Sequence, residues 1–300
     1  MDFSGIYPAL TTPFSAEGEV DLQALRQNVS CYNQTAVSGY VVLGSTGEAV
    51  MLSASEEDAI LAAVRDAAAP GKRMIAGTGA ESTGETIRKT KKAASLGYEA
   101  ALVKTPYYYK PFCKAEAMVA HYRAVADASP IPILLYNIPQ FTGVTLETPE
   151  ILALSKHLNI LGIKDSSGDV RRLSEVVGAA HGEFQVFTGS ASVVFPSLMM
   201  GARGAILALA AALPEACAAL YSLFRQKRLD EARQLQSKLL IASKLIVSEA
   251  GIPGVKHAMD LCGYYGGPPR LPLQPVSESS RRKISETLSA LETAATRASS

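Results

Sequence analysis

Short apolar runs alternate with amphipathic stretches almost to residue 225. The apolar runs read as strands: Ile6-Tyr7-Pro8-Ala9-Leu10, Tyr40-Val41-Val42-Leu43, Met74-Ile75-Ala76 and Ala100-Ala101-Leu102-Val103. Four more follow: Ile133-Leu134-Leu135-Tyr136, Ile160-Leu161-Gly162-Ile163-Lys164, Phe184-Gln185-Val186-Phe187 and Gly204-Ala205-Ile206-Leu207. Each is followed by apolar positions at helical spacing. The spacing predicts helices over 21–34, with Asp21 as N-cap, and from Ser55, where Glu56, Glu57 and Asp58 suit a helix N-terminus. Further helices are predicted over 82–96, through Met118, Tyr122 and Val125, over 149–156 and 169–180, through Phe195 and Leu198, and over 214–225.

Eight strand–helix pairs in strict alternation predict a parallel sheet, and eight is the number that closes a (β/α)8 barrel. A doubly wound sheet competes, but no GxGxxG follows the first strand, and Gly77-Thr78-Gly79 is only a fragment of one. From Leu229 the alternation stops. Leu235, Leu239, Ala242 and Ile246 predict one long amphipathic helix. A shorter helix follows, holding Val255, Met259 and Leu261, then a final one holding Ile284, Leu288 and Leu291, with the breaker Gly266-Gly267-Pro268-Pro269 between them. The expectation is an α/β chain: a (β/α)8 TIM barrel catalytic domain over 1–225 and a C-terminal helical extension over 226–300, its last few residues fraying.

Lys+Arg number 29 against Asp+Glu 28, a net charge of +1, so no strong field draws in nucleic acid or an anionic membrane. The longest apolar stretch, Ala205 to Leu213, is too short to span a bilayer. Met1-Asp2-Phe3-Ser4-Gly5 lacks a basic or apolar leader pattern. Cys31, Cys113, Cys217 and Cys262 are scattered without a CxxC, as in reduced thiols. Together these predict a cytoplasmic protein.

In a barrel the chemistry sits where strands end and loops begin. Those positions hold Gly44-Ser45-Thr46-Gly47-Glu48, Lys104-Thr105-Pro106-Tyr107-Tyr108-Tyr109, Tyr136-Asn137, Lys164-Asp165 and Thr188-Gly189-Ser190. His121, His157, His181 and His257 share no ligand spacing and fall in or beside helices, so no metal cage and no Ser-His-Asp triad is predicted. There is no GxSxG and no Walker A. Lys164 is the unusual residue. Strand alternation puts Ile160, Gly162 and Lys164 on one face, with the lysine pointing into the barrel. Burial there penalises an ammonium ion and favours the neutral amine that a carbonyl needs to form a Schiff base. The plainer reading is a lysine ion-paired with Asp165, although Asp165 faces the other way and could cap the next helix. Lys104 competes on the same grounds.

Schiff-base chemistry needs an anchor for a substrate carboxylate and a proton shuttle. Ser45, Thr46 and the neighbouring N–H groups form a turn suited to the first. Tyr136 ends the strand beside that of Lys164 and suits the second, with Ser45 and Tyr108 extending the chain of hydroxyls. The competing reading of Tyr107-Tyr108-Tyr109 is an aromatic surface cluster.

Gly44-Ser45-Thr46-Gly47-Glu48, Thr105-Pro106-Tyr107-Tyr108, Tyr136-Asn137-Ile138-Pro139 and Gly162-Ile163-Lys164-Asp165 stand in one order and spacing. In this the chain resembles the N-acetylneuraminate lyase / dihydrodipicolinate synthase family of pyruvate-dependent class I aldolases. The resemblance covers nearly the whole chain. It implies Lys164 as the Schiff-base residue, Tyr136 as acid/base, Ser45 as relay partner and Tyr108 completing the relay across a tight-dimer interface. It implies that Thr46 and Ile206 contact pyruvate and that Gly189 lines the distal pocket. It further implies no cofactor and a homotetramer built as a dimer of dimers. At Lys104 the family usually has an apolar residue, which removes that competitor.

Among members, the synthases carry an arginine two residues after the proline of Tyr-Asn-x-Pro, where this chain has Phe141. Neuraminate lyases carry acidic residues just after the Gly189 position, where Ala191 and Ser192 stand. Lys164-Asp165-Ser166-Ser167-Gly168-Asp169-Val170, Gly251-Ile252-Pro253-Gly254 and Gly263-Tyr264-Tyr265-Gly266-Gly267-Pro268 are instead similar to 4-hydroxy-2-oxoglutarate aldolase. That likeness implies Ser166 and Ser190 as hydrogen-bond donors to a distal carboxylate. The primary expectation is a retro-aldol cleavage yielding pyruvate and an aldehyde such as glyoxylate. The alternatives are a synthase condensing pyruvate with aspartate semialdehyde and a catalytically silent sensor of a 2-oxo acid.

Overall fold

The computed structural model describes residues 1–296, so the expected fraying at 297–300 lies outside the described residues. Eight strands form one sheet: β1 (Gly5–Pro8), β2 (Gly39–Val42), β3 (Arg73–Gly77), β4 (Ala100–Lys104), β5 (Ile133–Asn137), β6 (Ile160–Asp165), β7 (Gln185–Thr188) and β8 (Gly204–Leu207). Every neighbouring pair is parallel, in the order β1-β8-β7-β6-β5-β4-β3-β2. A parallel bridge between Ala9 and Val41, with the Leu10 N–H donating to the Val41 carbonyl at 2.9 Å, joins the two ends. The architecture is a TIM barrel.

The helices lie outside it: α1 (Leu22–Asn33), α2 (Ala54–Ala67), α3 (Thr83–Ser95), α4 (Ala115–Ala128), the single turn α5 (Pro139–Thr142), α6 (Thr148–Leu154), α7 (Val170–Ala179), α8 (Val194–Met199) and α9 (Pro214–Arg225). Asp21 caps α1 as expected, its carboxylate accepting from the Ala24 N–H. α2 starts one residue earlier than Ser55. Ser53 is the N-cap and accepts from the Glu56 N–H, while the Glu56 carboxylate accepts from the Ser53 N–H at 2.8 Å. That reciprocal capping box satisfies two otherwise orphaned donors, which the Ser55 hydroxyl, inside the first turn, does not reach.

The barrel interior holds Tyr7, Val41, Ile75, Leu102, Leu134, Tyr136, Phe187 and Ile206. Alternate residues of the same strands pack outward under the helices, Val103, Ile133, Leu135 and Ile163 among them. The inner face of β6 differs from simple alternation. Ile133 pairs with Ile160 but Leu134 pairs with Gly162, so Leu161 is an extra residue on β6. Ile160 therefore packs outward with Ile163, and only Gly162 and Lys164 keep the expected inward phase.

The extension comprises α10 (Leu229–Ala242), a π-helical segment (Ser243–Glu249), α11 (Gly251–Leu261) and α12 (Glu278–Thr296). The single long helix expected through Ile246 is thus interrupted at Ser243, where the hydrogen bonding widens to π geometry. Gln236 fastens α10 to the loop after β7, donating to the Ala191 carbonyl and accepting from the Phe195 N–H. No helix among the described residues is long and apolar enough to cross a membrane.

Candidate active site

Lys164 is the penultimate residue of β6, points inside the barrel and is 3% exposed. Its Cα partners are Tyr136 on β5 and Phe187 on β7. Its Nζ lies 4.1 Å from the centre of the Tyr136 ring. No carboxylate among the described residues lies within ion-pairing distance of it. Asp165 points away from the barrel, as expected, but neither pairs with Lys164 nor caps α7. Asp169 is that cap, and Asp165 instead accepts from Arg172 Nε at 3.1 Å and from the Ser167 N–H at 2.8 Å. The outward strand phase gives Asp165 a buried guanidinium as counter-ion and leaves the inward lysine without one.

Lys164 opens on a cavity of about 420 Å³ whose lining includes Ser45, Thr46, Tyr136, Ser166, Gly189 and Ser190. Lys164 is the one charged side chain among the lining residues. The Ser45 hydroxyl is 3.4 Å from the Tyr136 hydroxyl, a long hydrogen bond that links the turn after β2 to β5. Gly189 faces Ser166 closely: a Cβ there would lie 1.9 Å from the Ser166 hydroxyl and 3.0 Å from Lys164 Cε. Asn137, next to Tyr136, locks the end of β5, accepting from the Leu146 N–H and donating to Asp165.

Two of the expected site residues stand apart from this cavity. Ile206 is fully buried in the barrel interior with Tyr136 and Phe187 and is not part of the cavity lining. Tyr108 is 73% exposed, and its ring packs edge-on against Tyr109 on the surface. Its N–H and that of Tyr107 donate to the Glu81 carboxylate, which fixes the loop after β4.

Lys104 lies elsewhere. It pairs with Glu81 at 3.6 Å, sits over the Tyr107 ring, and opens on a second cavity of about 230 Å³ with Glu57 and Lys89. Burial pulls its pKa below the ordinary lysine value, with Glu81 opposing that shift. Ser45 and Tyr136 line both cavities. Of the histidines, His121 is buried on α4, its Nδ1 2.9 Å from the Thr83 hydroxyl, and His157 pairs with Asp127. No group of three or more His, Cys, Asp or Glu among the described residues is placed to hold a metal ion.

Sequence reasoning missed the far wall of the Lys164 cavity. Ser243, Val247 and Ser248 of the π-helical segment line it, together with Gln140 of α5, beside Phe141, which the sequence already places at this pocket. The apolar spacing of Leu239, Ala242 and Ile246 fits an ordinary helix, so only the widened turn turns these serines inward. It also missed Glu48, which is buried against Lys256 and Arg270.

A parallel barrel with an uncompensated strand-end lysine beside a tyrosine is an arrangement in which a lysine–carbonyl adduct can form, as in the lyases that work through one. The chain matches the Dihydrodipicolinate synthetase family over residues 2–291 and belongs to it. It is therefore a pyruvate-dependent lyase of the class I aldolase type. It is 35% identical over 287 residues to the 4-hydroxy-tetrahydrodipicolinate synthase of Methanothrix thermoacetophila, covering 95% of this chain and 96% of that one. It is 37% identical over 290 residues to the probable mitochondrial 4-hydroxy-2-oxoglutarate aldolase of Emericella nidulans, covering 95% and 94%. The crystal structure of the chloride-inhibited dihydrodipicolinate synthase from Acinetobacter baumannii complexed with pyruvate superposes with a TM-score of 0.90, at 34% identity, over 95% of this chain and 97% of that chain.

Proposed function

We infer that the chain cleaves a 4-hydroxy-2-oxo acid of the 4-hydroxyoxoglutarate type to pyruvate and an aldehyde such as glyoxylate. The observation that carries the reading is the buried Lys164 amine, free of any paired carboxylate, in one cavity with Ser45, Thr46, Tyr136 and Ser166. Lys164 attacks the C2 ketone. Tyr136 gives a proton to the departing hydroxyl, so that water leaves and an iminium forms. The tyrosinate then takes the C4-hydroxyl proton, and the C3–C4 electron pair flows into the iminium as an enamine while the aldehyde departs. Protonation of the enamine at C3 and addition of water return pyruvate and the free lysine, so the water lost on entry is regained. Ser45 relays the proton, and the Ser45–Thr46 turn holds the C1 carboxylate.

The distal half of the substrate is the finer part of the reading. Phe141 occupies the place of a synthase arginine, and the cavity wall offers Ser166, Ser190 and Gln140 rather than a cation. Hydroxyl and amide donors suit a small carboxylate or hydroxyl group that stays partly hydrated. The aldolase name of the Emericella relative agrees with this. The synthase reading is kept because relatives at 34–37% identity carry that name. Tyr108, exposed on its own chain, serves a second copy in a tight dimer, and two such dimers make a tetramer. The scattered cysteines fit a cytoplasmic setting.

Borohydride reduction in the presence of pyruvate tests the chemistry: the expected result is a stable adduct on the Lys164 peptide, and an unlabelled Lys164 ends the reading. A screen for pyruvate release from 4-hydroxy-2-oxo acids and sugar acids tests the substrate. Coupled turnover of pyruvate with aspartate semialdehyde, exceeding any cleavage, would assign the synthase instead.

A further inference from the structure

Glu48 directly follows Ser45-Thr46-Gly47 and is one of three non-glycine residues with positive φ among the described residues, at φ 55° and ψ 28°. A glutamate has no intrinsic preference for the left-handed region. It sits at the junction of two tight turns, Ser45–Gly47 and Ala49–Met51. Its N–H donates to the Ser45 carbonyl and its carbonyl accepts from the Met51 N–H. Any change in its backbone therefore swings the turn that carries Ser45 and Thr46.

The side chain is what holds it there. Glu48 is 1% exposed, with Oε1 2.7 Å from the Nζ of Lys256, which is 0% exposed. Oε2 accepts from the Arg270 N–H at 2.9 Å. Lys256 Nζ also donates to the Pro268 carbonyl. The Arg270 guanidinium reaches the Gly18 and Met51 carbonyls and Glu56. Lys256 Nζ and Arg270 Cζ each lie 4.4 Å from the Phe14 ring. The α11 helix and the loop after it thus grip the turn from behind, while the Thr12 hydroxyl holds the Gly47 carbonyl at 2.7 Å from the barrel side. None of Glu48, Lys256 and Arg270 lines the Lys164 cavity. A buried ion pair is a poor way to gain stability, because desolvation offsets its attraction and a packed apolar pair often serves as well. What the pair offers that an apolar contact lacks is a fixed direction for the Glu48 side chain.

We propose that Glu48, gripped by Lys256 and Arg270, is a positioning residue that aims the Ser45–Thr46 turn at the substrate carboxylate. The C-terminal extension is then part of the binding machinery of the barrel. The proposal rests on the Schiff-base reading above, and pyruvate trapping on Lys164 separates the two. Wild-type protein is titrated with pyruvate under borohydride beside Glu48→Gln/Lys256→Met, which removes both charges together so that neither is left unpaired. The expected result is a melting temperature near that of the wild type and a maximal trapping rate within about threefold, with half-saturating pyruvate raised roughly tenfold or more. Glu48→Asp keeps the charge but shortens the arm, and is expected to raise half-saturation about threefold or more, with the fold intact. Should the double variant fail to fold, Glu48→Asp decides alone. Unchanged half-saturation in a folded variant overturns the proposal and leaves the Schiff-base reading standing. No adduct in the wild type overturns both.

Discussion

Lys164 and Tyr136 are Cα partners across β6 and β5, and the lysine Nζ lies 4.1 Å from the centre of the tyrosine ring. The ring and the hydroxyl of Tyr136 therefore do different things. The ring walls in the amine, and the hydroxyl, 3.4 Å from that of Ser45, is the group proposed to transfer the proton. Tyr136→Phe keeps the first and removes the second. The expected outcome is an unchanged melting temperature, a pyruvate adduct that still forms on prolonged incubation, and kcat lowered about 10²–10⁴-fold. Steady-state kinetics with parallel trapping checks this. Near-normal kcat would show that another group moves the proton.

Gly189 is constrained by space, since a Cβ there would sit 1.9 Å from the Ser166 hydroxyl. Gly189→Ala must push Ser166 aside or displace the end of Lys164. The fold loses about 1–3 kcal/mol from overpacking. A displacement of about 1 Å at the amine lowers kcat/KM roughly 10²-fold. Pairing the change with Ser166→Gly removes both the hydroxyl and the Cβ, which lies 2.9 Å from the added methyl, so the double variant should regain adduct formation more than it regains turnover. A Gly189→Ala enzyme as active as the wild type would mean the wall yields freely.

Tyr108 stands outside its own cavity, on an exposed loop with Tyr109 and Phe112. If it serves a second copy, two defects in different chains can cancel. Lys164→Ala lacks the nucleophile and Tyr108→Phe lacks the relay hydroxyl. Each homo-oligomer is expected to be impaired. After co-refolding, hetero-dimers hold one site with an intact Lys164 and an intact Tyr108, and activity should rise above the sum of the separate proteins. No rise in a mixture shown by native mass spectrometry to contain hetero-dimers would place Tyr108 outside the chemistry.

The legibility of this chain follows from what its strands bury. Both faces of the parallel strands are covered, so β2, β4 and β5 stand out as apolar runs, and Lys164 stands out as a cation closing the apolar run of β6. Two features were not legible. The bulge at Leu161 turns Ile160 outward, yet leucine and isoleucine fit either face, so the residues carry no mark of it. The π-helical turn at Ser243–Glu249 keeps an apolar spacing that suits an ordinary helix, and only tertiary packing against the loop after β7 selects the wider turn. Glu48 read as the tail of a motif. Its counter-ion Lys256 and the Arg270 N–H lie more than two hundred residues away, beyond the reach of local pattern.

His121 ties this packing to pH. It is buried on α4, with Nδ1 at the Thr83 hydroxyl and Nε2 without a partner. Burial first, and then the nearby Lys104 cation, push its pKa down from 6.5 to about 4, against the pull of Glu81. A histidine with a depressed folded pKa is bound by a proton more readily in the unfolded chain. Its contribution is thus present above pH 6.5 and is lost as pH falls from 6.5 towards 4. The loss amounts to at most about 3 kcal/mol. His121→Gln, which does not titrate, should remove that slope. Glu56 acts lower still: its hydrogen bonds to Arg270 hold its pKa at about 2, so its contribution is lost as pH falls from 4.5 towards 2. Urea denaturation at pH 7, 5.5 and 4 distinguishes the two groups. The wild type should weaken across all three and His121→Gln only below about pH 4.5, whereas parallel slopes would assign the acid sensitivity to other groups.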